Sequence, residues 1–273
     1  MKSQYDILNI NGIPLHVAFD GPKDAPALIF AHALSLNLRS FELQATHFRH
    51  HYRVIRLDLR GHGKTGGGSF SMSDLAGDIV GLLEHLGIQR THFVGSSLGA
   101  MIGMTLALEH RERLTSLTFM ASQGALPPER IAAVRKNLDA MRASGAKPET
   151  TLTDQTEAML ARLLGEIEET EAPETFALLR LILSETTLFG QARAYEAIIE
   201  MNYDGRLAEI TTPTLIIAGS EDASTPPARM QMYAEGIAGA RMVILDGAGH
   251  FPNVEKPDPF NDALATFLES VDG

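Results

Sequence analysis

Gly95-Ser96-Ser97-Leu98-Gly99 is the stretch on which the fold turns. It follows a short run of strand formers, Thr91 to Val94, and leads into an apolar segment, Leu98 to His110, that reads as a helix. A serine on so tight a strand-to-helix turn has its hydroxyl pushed clear of the backbone. The flanking glycines permit crowding that a side chain would forbid. The start of the following helix adds positive potential and unpaired backbone N–H groups beneath a developing oxyanion. The same five residues also suit a glycine-rich structural turn or a phosphate-binding turn. A base and an acid in the right places distinguish a nucleophile from either.

Outward from this turn, strands and helices alternate. Tyr5 to Ile10 and Ile13 to Phe19 read as strands joined by a tight Asn11-Gly12 hairpin. Ala27 to Ala31 is a continuous apolar run, as expected of a strand covered on both faces. Tyr52 to Asp58 and Leu114 to Ala121 are further strands, and Arg39 to His51 is long enough for a helix. Leu75, Ile79, Leu82, Leu83 and Leu86 recur at helical spacing, with Ser73 as the expected N-cap, Asp74 in the first turn and Gly87 as the stop. From Gln123 to Asp204 no strand-like run occurs. Helical patterns cover Pro127 to Met141, Thr153 to Leu164, Pro173 to Leu183 and Gln191 to Met201, with a break at Gly145 to Pro148. That block is too long for a plain connection. Alternation then resumes: strand Pro213 to Gly219, helix Ala228 to Gly236, strand Arg241 to Leu245, helix Pro259 to Leu268. The expectation is an α/β fold with a mostly parallel sheet of about eight strands and helices on both faces. Its core is split into residues 1–121 and 206–273 by a helical insert, 122–205.

Composition narrows the chemistry. The 273 residues contain no cysteine, which removes thiolate metal sites and a cysteine nucleophile. A formal net charge of −11 argues against a general nucleic-acid binder. The N-terminus lacks a signal-peptide plan and no run is long enough to span a membrane, so the expectation is a soluble, cytoplasmic protein without nucleic-acid or membrane partners.

Ser97 needs a base, and His250 is the candidate. It stands in Asp246-Gly247-Ala248-Gly249-His250-Phe251-Pro252, just after the last strand, where α/β sheets present reactive groups. His47, His50 and His51 suit a solvated helix face, His85 and His110 lie near helix C-termini, and His16 and His92 lie in strands. His32, at the end of a strand, is the serious rival. The orienting carboxylate is assigned to Asp222 in Gly219-Ser220-Glu221-Asp222, with Glu221 and Asp246 as rivals. The chain order Ser97, Asp222, His250 is that of one serine-hydrolase fold. The oxyanion donors expected there are the N–H of Leu98 and one from the turn His32-Ala33-Leu34, with Leu34 the candidate and Ala33 close behind.

With these residues in place the chain resembles an α/β-hydrolase over nearly its whole length. The marks are Phe30-Ala31-His32-Ala33, Asp58-Leu59-Arg60-Gly61-His62-Gly63-Lys64-Thr65, the Ser97 turn, Gly219-Ser220-Glu221-Asp222 and Gly249-His250. The resemblance implies that Asp58 to Thr65 is structural, that the helical insert is a lid over Ser97, and that Leu34 is the second oxyanion donor. Within the superfamily the chain is most similar to the 3-oxoadipate enol-lactonase group. Ser35 to Phe41, Tyr52 to Asp58, Asp222 to Pro227 and Asn253 to Pro257 carry that likeness. It departs from the group at His32-Ala33, at Ala100 and in having no tryptophan. The implied activity is serine-dependent cleavage of a carboxylic ester or lactone, with 3-oxoadipate enol-lactone as one such substrate and no metal or other cofactor. A carboxylate-bearing lactone would need a cation. Arg39, close after the oxyanion turn, is the candidate, with Arg135, Arg162 and Arg180 as rivals. A general carboxylesterase, a C–C bond hydrolase, a cofactor-free perhydrolase and a non-enzymatic ligand receptor remain open on the same scaffold.

Overall fold

A computed structural model describes residues 3–145, 147, 149–164, 169–170 and 172–273, without the side chains of residues 162 and 163. In chain order the elements are β1 (Gln4–Ile10), β2 (Ile13–Asp20), β3 (Ala27–Ala31), α1 (Glu42–Phe48), β4 (Arg53–Leu57), α2 (Met72–His85), β5 (Thr91–Ser96), α3 (Leu98–Glu109) and β6 (Leu114–Met120). The insert carries α4 (Pro128–Ala143), α5 (Thr156–Leu164), α6 (Pro173–Glu185) and α7 (Leu188–Ile199). The chain then returns to the sheet through β7 (Thr214–Gly219), α8 (Pro227–Gly236), β8 (Arg241–Leu245), α9 (Pro252–Glu255) and α10 (Pro257–Asp272).

The eight strands form one sheet in the order β1-β2-β4-β3-β5-β6-β7-β8. β1 and β2 form the Asn11-Gly12 hairpin, and β2 also runs antiparallel to β4; every other neighbouring pair is parallel. The apolar run in β3 is explained by its two neighbours' helices. Ile29 and Ala31 join a core with Leu75, Ile79 and Leu82 of α2, Ile102 of α3 and Met230 of α8. Leu28 and Phe30 point the other way, into a second core with Phe41, Phe48, Phe260 and Phe267. Each such buried Leu, Ile, Phe or Met side chain contributes about 1.5–3 kcal/mol relative to exposure. Chain order reverses around β3, because β4 is added on one side of it and β5 on the other. That reversal opens a crevice at the carboxyl ends of β3 and β5, where this sheet type carries its ligands.

The cap of α2 differs from expectation. Ser71, not Ser73, accepts from the N–H of Asp74, and the Asp74 carboxylate accepts from the Ser71 N–H. This reciprocal pair satisfies two helix-end donors, which Ser73, two residues further on and already inside the helix, could not reach.

The insert rests on the loops at the sheet's carboxyl edge. Leu152, Leu160, Leu179, Ile182 and Leu183 pack with Ala33 and Leu36 from the loop after β3, with Phe251 from the loop after β8 and with Val254 of α9. Thr186 Oγ1 donates to the Ser35 carbonyl at 2.6 Å, and Gln191 Nε2 donates to Ser35 Oγ at 2.9 Å. Part of the expected break at Gly145 to Pro148 lies outside the described residues. No described helix is long and apolar enough to cross a membrane.

Candidate active site

Ser97 sits between β5 and α3 with φ +49° and ψ −104°, a conformation a side chain rarely adopts. The turn closes because residues 95 and 99 carry no side chain. A methyl at Gly95 would lie 2.3 Å from the Gly99 carbonyl oxygen. The Ser97 N–H donates to the Met120 carbonyl at 3.0 Å, and Ser122 Oγ donates to the Ser97 carbonyl at 2.9 Å, so the strained residue is held from both sides. The first helical hydrogen bond runs from Met101 N–H to Ser97 C=O. The Leu98 N–H is therefore one of the helix-end donors without an intrahelical acceptor.

His250 lies in the loop between β8 and α9. Its Nδ1 is 2.9 Å from Asp222 Oδ2. A carboxylate can only accept, so Nδ1 carries the proton and Nε2 is left with a lone pair. Asp222 is buried, and its Oδ1 takes the N–H groups of Ser224 (2.8 Å) and Thr225 (3.0 Å) while its Oδ2 also takes the Thr225 hydroxyl. Burial by itself would raise this carboxyl; the hydrogen bond and charge of His250, with the Thr225 donors, outweigh it and bring the pKa down to about 2. The loop is braced by Glu255. Its carboxylate accepts the N–H groups of Gly249 and of Phe251 (2.7 Å), one on each side of His250. Burial pushes the Glu255 carboxyl up, against those two donors.

His32, the rival base, is otherwise engaged. It is fully buried; Nδ1 donates to the Ala33 carbonyl at 2.8 Å and Nε2 accepts the Leu59 N–H at 3.0 Å. Burial drives its pKa to about 3, so it stays neutral with both ring nitrogens used. Asp58 is likewise engaged in structure. It takes the N–H groups of Leu38 and Lys64 and the His16 ring.

Ser97 and His250 line one cavity of about 490 Å³. Ala33, Leu34 and Ser35 form part of its wall, and Thr225, Phe251, Met159, Tyr195 and Arg130 line it too. Among the described residues the Leu34 N–H has no hydrogen-bond acceptor.

Arg39 is placed elsewhere. It is absent from the cavity wall, and its guanidinium pairs with Glu185 of α6 and approaches Asn37 Oδ1. The short helical turn Leu38–Phe41 aims the side chain along the seam between core and insert. Among the rivals, Arg135 pairs with Glu200 and Arg180 with Glu157 and Glu169; the side chain of Arg162 lies outside the described residues. Among the described residues the arginine on the cavity wall is Arg130, at the start of α4, and its guanidinium has no ion-pair partner among them.

One sheet whose strands are divided in sequence by a helical insert, a strained serine at a helix head and a histidine–carboxylate pair at the same edge define an α/β-hydrolase. A family model described as the alpha/beta hydrolase fold matches residues 26–257, and the chain belongs to that family. It is an enzyme of the hydrolase class. Its relatives include 3-oxoadipate enol-lactonase 2 of Acinetobacter baylyi, 32% identical over 266 residues that cover 97% of this chain and 96% of that protein. Among solved structures, the enol-lactonase from Burkholderia xenovorans is 29% identical, with a TM-score of 0.87 over 97% of this chain and 100% of that one. A thermophilic esterase from Thermogutta terrifontis is 26% identical, also with a TM-score of 0.87, over 98% and 99% of the two chains.

Proposed function

We propose that the chain hydrolyses a carboxylic ester or lactone through an acyl-enzyme on Ser97. The observation that carries this is the pairing of a positive-φ serine with a histidine on one cavity wall, the histidine's far nitrogen tied to a buried carboxylate. His250 Nε2 takes the Ser97 proton as the hydroxyl attacks the carbonyl carbon. The N–H groups of Leu98 and Leu34 hold the oxyanion, where each donor is worth about 2.7–4 kcal/mol. Asp222 stabilises the imidazolium while it lasts. His250 then returns the proton to the leaving oxygen, the C–O bond breaks, and water activated by the same nitrogen releases the acid.

In a lactone the leaving oxygen stays tethered, so acylation is reversible unless the released enol ketonises. Kinship with the enol-lactonases makes 3-oxoadipate enol-lactone the first substrate to test. Arg130, unpaired among the described residues and on the cavity wall, is the cation suited to its carboxylate.

The test is a panel of esters and lactones with the native protein and Ser97→Ala. Turnover by the native protein and its loss in a folded Ser97→Ala variant is the expected result. Full turnover by that variant would remove Ser97 from its role.

A further inference from the structure

The cavity beside Ser97 adjoins another. A second cavity of about 380 Å³ lies within the insert itself, and Arg130, Val134, Met159 and Tyr195 line both. Its remaining wall mixes the apolar side chains of Met141, Leu188 and Ala192 with the amides of Asn137, Gln155 and Gln191. Among the described residues no acidic side chain lines it, and the one charged residue there is Arg130, on the shared wall. Cavities of roughly 300–1,000 Å³ hold drug-sized molecules, and the first chamber alone falls within that range. A compact lactone would engage the first chamber and leave the second without a role.

Gln191 links the inner chamber to the reacting end. It lines that chamber, while its Nε2 donates to Ser35 Oγ at 2.9 Å. Ser35 has φ +67° and directly follows Leu34, whose N–H is the proposed oxyanion donor. A group seated against Gln191 therefore bears on the turn that positions Leu34.

We propose that the inner chamber is a second substrate subsite, so that beside a compact lactone the site takes an ester or lactone with an uncharged, medium-length chain reaching past Arg130 into the insert. This rests on the reading of Ser97 as nucleophile and extends it to substrate class. Thioether and alkyl walls take the methylenes, and the amides accommodate a carbonyl along the chain.

Two series of probes test it: p-nitrophenyl esters from acetyl to octanoyl, and alkyl butyrates from methyl to octyl. Each methylene moved from water to an apolar wall is worth about fourfold. In one of the two series kcat/KM should therefore rise at least tenfold from the short to the long member. Ala133→Trp and Asn137→Trp place bulk in the inner chamber from exposed positions on α4. Each should cut that long-to-short ratio at least tenfold. Octanamide binding to Ser97→Ala protein, followed by calorimetry, should weaken at least tenfold in the same two backgrounds. Ester turnover with flat profiles in both series, or ratios and octanamide binding unmoved by both tryptophans, overturns the subsite. Octanamide binding that responds to the tryptophans without turnover of any ester supports the subsite and refutes the nucleophile.

Discussion

Gly99 stands so close to Ala31 that a methyl group at its Cα would lie 2.1 Å from the Ala31 carbonyl oxygen. Strand β3 and the head of α3 are thus in backbone contact. The Gly99 N–H also donates to the neighbouring His32 carbonyl at 3.1 Å. The two loops proposed to hold the oxyanion are locked together at this point.

Gly99→Ala should consequently do more than fill space. Backbone cannot yield as a side-chain tip does, so the head of α3 must shift. The expected cost is about 3 kcal/mol or more in stability, read by denaturant unfolding. A displacement of about 1 Å at Ser97 and Leu98 should lower kcat roughly a hundredfold in whatever protein remains folded. Native stability and turnover in this variant would show that the contact is unimportant.

Glu255, which accepts the N–H groups on either side of His250, is expected to position that ring. An amide oxygen can replace one carboxylate oxygen but not both, so Glu255→Gln leaves one of the two N–H donors unpaired, and Glu255→Ala leaves both. A buried unpaired donor costs about 1–3 kcal/mol. With ester substrates kcat should fall in the order native, Gln, Ala, while KM stays within about twofold. A change confined to thermal stability would reduce Glu255 to a structural brace.

The cation for a charged substrate is testable by difference. Arg130→Ala should raise KM for a carboxylate-bearing lactone at least tenfold more than for a neutral ester of similar size. Arg39→Ala, which breaks the pair with Glu185, should affect the two substrates equally. A selective loss in Arg39→Ala would return the role to Arg39.

Acid stability follows from Asp222. Its carboxyl has an ordinary pKa of 3.8 when unfolded and about 2 in the fold. As pH falls below about 4 the unfolded chain binds a proton that the folded one refuses, so stability declines until pH passes about 2. The contribution present above that window is about 2 kcal/mol. In Asp222→Asn the decline between pH 4 and 2 should be shallower than in the native protein, measured as unfolding midpoint against pH. Parallel curves would contradict the depressed carboxyl.

The strands and the insert were legible because their signals are local. Both-face burial writes a continuous apolar run into β3 and β7, and the change to helical spacing after Gln123 marks the departure from the sheet. The contact between Asp222 and His250 was legible because each lies in the loop after a strand, three residues beyond β7 and five beyond β8. What escaped depends on where a side chain goes. Arg39 is only five residues beyond Leu34, yet one short helical turn directs it to Glu185; Arg130 is nearly a hundred residues away and reaches the cavity through α4. Glu255 was visible in the sequence, but its service to His250 needs the short α9, which no periodicity announces. Ser71 carried a readable signal, an acid three residues on, that the nearer Ser73 masked.

The most direct test of the central claim is covalent. A fluorophosphonate should add once per chain, abolish ester turnover in proportion to labelling, and be found by peptide mass spectrometry on Ser97. His250→Ala should slow the labelling by at least a hundredfold while leaving the fold intact. Labelling at another residue, or hydrolysis that continues with Ser97 fully modified, would contradict the account.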